Sequence, residues 1–140
     1  LYERPRNEFV AQFIGSPAMN LLPGEVVGTG VETTIRLDNG GMARSAVPTQ
    51  TADKGLKVNV GVRPEDFVPT DGETIYEGKV EITEALGELT QLYFEKGDRS
   101  TPVIAKLAGI HPDLRHQMVK LTADPKKGHL FANGESLLYR

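Results

Sequence analysis

Leu56-Lys57-Val58-Asn59-Val60-Gly61-Val62-Arg63-Pro64-Glu65-Asp66 is the stretch that decides the fold. Leu56, Val58, Val60 and Val62 alternate with Lys57, Asn59 and Gly61, and a period of two belongs to a half-buried β-strand. Arg63 precedes a proline, which holds it extended and ends the strand. The same pattern recurs on both sides. Upstream, the period changes to two from Met19 onward, and Glu32 to Asp38 alternates into Asp38-Asn39-Gly40-Gly41 before Met42 to Val47. Such a turn signal between alternating runs predicts a hairpin. Pro48 to Lys54 is polar and loop-like. Downstream, Pro69 to Glu73 is a turn. Tyr76, Val80 and Ile82 then share one strand face, with Glu77, Lys79, Glu81 and Thr83 on the other. Leu89, Gln91 and Tyr93 pair with that strand, or with Val103 to Leu107 across Lys96-Gly97-Asp98-Arg99. Met118 to Thr122 and His129 to Phe131 are the last strands, and Asn133-Gly134 is a closing turn. Short strands at near-even spacing, with 15 Gly and 9 Pro, predict an all-β domain built as a closed or partly open barrel.

The N-terminal end reads differently. Residues 7–14 form a short helix, with Asn7 as cap and Phe9, Val10, Phe13 and Ile14 on one apolar face. Gly15 and Pro17 stop it. Eight residues are too few for a free helix, so that face is expected to dock on something. The chain opens at Leu1 without an initiator Met, and a fragment of a longer protein is expected. The natural dock is then an upstream domain, which leaves residues 7–14 loosely held without it; folding back on the barrel or packing in a crystal contact is the alternative. The expected organisation is a linker and helix over 1–18 and a barrel over 19–140.

Composition excludes several classes. There is no cysteine, hence no disulfide framework and no thiolate metal site. No apolar run approaches the roughly 20 residues that span a bilayer. A net charge of −3 with mixed signs lacks the basic footprint of a general nucleic-acid binder, and 6% aromatics leave few stacking platforms. No Gly-x-x-x-x-Gly-Lys-Ser/Thr loop is present to cradle a phosphate. Gly28-Thr29-Gly30 lacks the later Gly and reads as a turn. His111, His116 and His129 are scattered, and no Ser/His/Asp arrangement has local support. Met42-Ala43-Arg44-Ser45-Ala46 is a faint candidate for holding a small oxyanion. Glu84 stands out because it continues the parity of Val80 and Ile82. A carboxylate on an apolar face must be paired, and Arg63 at the end of another strand is the partner to expect; a plain rim ion pair is the alternative reading.

Four blocks carry a resemblance. They are Leu1 to Asn20, Gly61-Val62-Arg63-Pro64-Glu65-Asp66, Glu84-Ala85-Leu86-Gly87, and His129-Leu130-Phe131 with Gly134. In this order they resemble the C-terminal region of the ATPase subunits of maltose-type and glycerol-3-phosphate-type ABC importers. The acid in Gly87-Glu88-Leu89-Thr90 and the Lys120 that replaces a glycine are departures. The resemblance implies an OB-like, transport-associated β-barrel that follows an ATPase domain and meets its twin in a homodimer, weak in isolation. It implies docking of regulatory proteins on a surface carrying Gly55, Gly61, Arg63, Gly78 and Glu84. Their plain reading is turn and packing glycines with one ion-paired Glu. It implies ATP and magnesium only in the nucleotide-binding domain of the parent, contact with permease subunits through that parent, and a cytoplasmic place on the inner face of the plasma membrane without insertion. The expected function is regulation and dimerisation in an importer of a sugar, polyol or glycerol phosphate, with no catalysis by this chain; a small-oxyanion-binding barrel is the alternative.

Overall fold

A computed structural model describes residues 4–8, 11 and 18–139. Its strands are β1 (Asn20–Gly28), β2 (Thr33–Leu37), β3 (Met42–Ser45), β4 (Lys57–Val62), β5 (Val68–Pro69), β6 (Tyr76–Leu86), β7 (Leu89–Phe94), β8 (Ile104–Ala108), β9 (Met118–Thr122), β10 (His129–Ala132) and β11 (Glu135–Ser136). They form two antiparallel sheets, ordered β11-β10-β4-β1-β2-β3 and β5-β9-β6-β7-β8. The all-β barrel expected from the alternation is what the chain builds. Short 3-10 turns begin at Pro64, Pro112 and Pro125, where a fixed φ and a missing donor cost nothing.

β4 sits at the centre of the first sheet, between β1 and β10. Val58, Val60 and Val62 point inward and meet Leu22, Val26, Ile35, Phe67, Val80, Leu92, Phe94 and Leu121 in one core. Burying each such side chain contributes about 1.5–3 kcal/mol. The hairpin across Asp38-Asn39-Gly40-Gly41 forms as expected, with Arg36 opposite Met42. β1 pairs with both β4 and β2 despite containing Pro23 and Gly24. The Pro23 carbonyl accepts from the Asp38 amide at 3.0 Å. At Gly24 a Cβ would lie 2.6 Å from the Arg36 carbonyl oxygen, so only glycine lets β2 come this close.

The two sheets are sewn together at two seams. The buried Asn20 side chain on β1 donates to the Ile104 carbonyl at 2.9 Å and accepts from the Ile104 amide at 2.9 Å. Its amide also donates to the Val62 carbonyl at 3.0 Å. Asn20 thus stands in for a missing stretch of strand pairing between β1 and β8. At the opposite edge the Met42 amide donates to the Thr74 carbonyl at 2.9 Å, and Arg44 grips Glu73 bidentately at 2.9 and 3.0 Å.

β6 departs from the expected face assignment. Val80 opposes Phe94, but Ile82 opposes Tyr93, so Glu81 is an extra residue in a bulge. One extra residue flips every side chain after it. Val80 is buried, while Ile82 is 49% exposed. At the C-terminal end, Asn133 and Gly134 both take positive φ, 53° and 83°, in the turn between β10 and β11.

Candidate functional site

The bulge decides where Glu84 goes. Parity read straight through aims it inward at Arg63. The structure corrects this: Glu84 lies on the outer face of the second sheet, directly across from Gln91, and its carboxylate accepts from the Tyr93 hydroxyl at 3.0 Å. Gln91 in turn donates to the Tyr93 oxygen at 2.6 Å. Burial, and the hydrogen bond donated to Glu84, push the Tyr93 hydroxyl above its ordinary pKa, so it stays a donor at neutral pH. Arg63 is buried after the end of β4 in the first sheet. Among the described residues, ion pairs join Arg44 to Glu32 and Glu73, and Lys57 to Glu25.

Around this array the outer face is apolar. Ile82 stands opposite Tyr93, and Leu86 opposite Leu89; Leu86 and Leu89 are 41% and 40% exposed, and Met118 on β9 is 60% exposed. In the sequence Gln91 and Tyr93 stand out only as alternating strand residues. The signal was available: Leu86-Gly87-Glu88-Leu89 is a two-residue hairpin turn, and Gly87 takes the positive φ, 68°, that such turns demand. That turn sets Glu84 against Gln91.

The five residues expected to share a regulatory surface fall on two sheets. Gly78 and Glu84 are both on β6, but Gly78 is structural: a Cβ there would lie 2.7 Å from the Tyr76 ring, which packs edge-on against Phe94 at 5.2 Å. Gly55 takes φ +91° before β4 and donates its amide to the Val26 carbonyl at 2.8 Å. Gly61 and Arg63 belong to β4 and the turn that follows it. A Cβ at Gly61 would collide with the Met19 sulfur and lie 2.9 Å from Phe131. Gly61 is paired with His129 on β10, whose imidazole is pushed down to about 4 by burial and by the charges of Arg63, Lys127 and Arg4.

Of the helix expected over 7–14, the Ala11 amide donates to the Asn7 carbonyl at 3.1 Å. Phe9, Val10, Phe13 and Ile14 lie outside the described residues. Ala11 is buried with Met19 and Phe131, against the barrel. Residues 6–8 run antiparallel to β11: Asn7 bridges Glu135, the Ser136 amide donates to the Arg6 carbonyl at 2.7 Å, and the Glu8 amide donates to the Gly134 carbonyl at 2.9 Å.

The oxyanion candidate is already engaged. The Arg44 guanidinium is held by the Glu73 carboxylate and by Thr34 at 3.1 Å, and the Ser45 hydroxyl donates to the Gly128 carbonyl at 2.5 Å. Among the described residues no group of three or more His, Cys, Asp or Glu is placed to hold a metal. No helix there is long and apolar enough to cross a membrane. A cleft of about 350 Å³ lies over β1 and β4, walled by Glu8, Asp38, Lys57, Asn59 and Asn133.

Residues 15–67 match the MalK OB fold domain. Along 97% of its length the chain is 47% identical to the alpha-glucoside transport ATP-binding protein AglK of Rhizobium meliloti, of which it covers 38%. It is 39% identical to the maltose/maltodextrin import ATP-binding protein MalK of Vibrio vulnificus over 74% of its own length and 29% of that protein. It is 40% identical to MalK of Photorhabdus laumondii over 68% and 26%. The chain thus spans well under half of these relatives. Among solved structures, the molybdate-bound cytoplasmic molybdate-binding protein ModG superposes with a TM-score of 0.63 at 14% identity, covering 81% of this chain and 95% of that one. That likeness is one of fold.

Proposed function

From the match of residues 15–67 to the MalK OB fold domain and the likeness to AglK, we propose that the chain is a MalK-type OB fold domain and serves as the regulatory and dimerisation module of the ATP-binding subunit of an ABC sugar importer. Nucleotide and magnesium are handled elsewhere in the parent, which sits with its permeases at the cytoplasmic face of the membrane. The solute is a carbohydrate, with an α-glucoside first in order because of the AglK relative. This chain catalyses nothing. It holds two ATPase domains at high effective concentration while they part and rejoin. A regulator that prefers one arrangement of the pair shifts the cycle by its differential affinity.

The observation that carries this reading is the outer face of the second sheet. Ile82, Leu86, Leu89 and Met118 are exposed there, on three neighbouring strands. An apolar patch interleaved with Lys79, Glu84 and Lys120 carries both charge signs, as a two-fold contact requires of a single surface. The handful of side chains in this patch is fewer than the roughly 20–30 residues a side of a standard interface, so association is weak. Sedimentation velocity from micromolar to millimolar concentration tests it. A reversible monomer–dimer equilibrium is expected, abolished by Ile82→Lys with Leu86→Lys. A strict monomer at millimolar concentration, or a dimer indifferent to both substitutions, rejects the reading.

A further inference from the structure

The contacts of Arg4–Glu8 are too specific for a loose tether. Two backbone bonds and a bridge pair this stretch with β11. The Glu8 carboxylate accepts from the Asn59 amide on β4 at 2.8 Å. The Tyr139 hydroxyl donates to the Arg4 carbonyl at 2.8 Å, and the Arg6 guanidinium lies 5.1 Å over the Tyr139 ring. Beyond Glu8, Ala11 is tied at both ends: its amide to the Asn7 carbonyl at 3.1 Å, and its carbonyl to the Met19 amide at 3.4 Å. Met19 then fills the space left by the missing side chain of Gly61, against Phe131.

A single bridge on an edge strand is weak by itself and opens early in local unfolding. The buried trio of Ala11, Met19 and Phe131 supplies what the bridge lacks. We propose that Arg4–Glu8, with Ala11 and Met19, is a latch whose seat is Gly61, and that it fastens these residues to β4, β10 and β11. This does not rest on dimerisation, and either idea can fail without the other.

Amide exchange on the intact chain, followed residue by residue, is the test. The amides of Glu8 and Ala11 are expected to exchange slowly. Gly61→Ala, which evicts Met19, is expected to speed both at least tenfold while Val80 and Leu92 keep their protection. Because Gly61→Ala strains β4 as well, Met19→Ala removes the same contact from the other side and must also speed Glu8 and Ala11. Asn7 and Glu135 form a non-hydrogen-bonded antiparallel pair, whose Cα separation of about 4.5 Å suits a disulfide. The chain contains no other cysteine. Asn7→Cys with Glu135→Cys, once oxidised, is expected to restore slow exchange at Glu8 in the Met19→Ala background. Unchanged exchange at Glu8 and Ala11 in Met19→Ala overturns the latch.

Discussion

His129 loses stability in acid. An unfolded histidine takes up its proton near 6.5, whereas native His129 refuses it down to about 4. Between those values the unfolded state binds more protons, so stability falls as pH drops from about 6.5 to about 4. The loss from this one site is at most roughly 3 kcal/mol. Asp66 works in the opposite sense, since burial raises its carboxyl pKa and acid favours its native form. Urea titrations at several pH values should therefore show a decline below 6.5 that His129→Gln flattens; an unchanged decline places the acid sensitivity elsewhere. Single residues are also where the sequence was hardest to read. Glu84 was legible as unusual but not in its partner, because nothing in Val80-Glu81-Ile82 announces a bulge. Gly61 was legible as a candidate, yet its reason, room for Met19 and Phe131, is a tertiary contact with no local signature.

At the level of elements, β4, β9, β10 and the β2–β3 hairpin could be read from period and turn chemistry almost to the residue. β1 could not. Its only trace was the change to period two at Met19, and Pro23 and Gly24 lie within this central strand because the Pro23 carbonyl remains usable and Gly24 admits β2. The seam made by Asn20 was equally hidden, since a side chain acting as backbone leaves no periodic trace. Asn20→Ala is expected to cost about 1–3 kcal/mol, by orphaning the part-buried amide and carbonyl of Ile104. Chemical denaturation measures this, and a cost below about 0.5 kcal/mol, the range of ordinary surface substitutions, shows that the seam contributes little. Exchange should then rise first in β8, on the far side of the seam.

Across the whole molecule the two sheets divide the work. The first carries the latch and the buried Arg63; the second presents the face proposed for self-association. The resemblance, carried by four blocks of residues, was legible. The division was not, because Gly55, Gly61, Gly78 and Glu84 are separated only once the chain is folded. The turn that the latch grips has a further consequence, on the scale of days. Asn133 is followed by a glycine, which offers no side chain to shield its backbone nitrogen. That nitrogen attacks the asparagine side-chain carbonyl, ammonia leaves, and water opens the resulting succinimide to isoaspartate, adding one carbon to the main chain and a negative charge. Asn39-Gly40 has the same chemistry, but the Asn39 side chain is held by the Gly41 amide at 2.6 Å and the Ile75 carbonyl at 3.2 Å. Peptide mapping of stored protein should find isoaspartate at 133 before 39. The Gly134 carbonyl that receives the Glu8 amide would then be out of register, so an ageing preparation should become heterogeneous at its N-terminal end while its core stays intact.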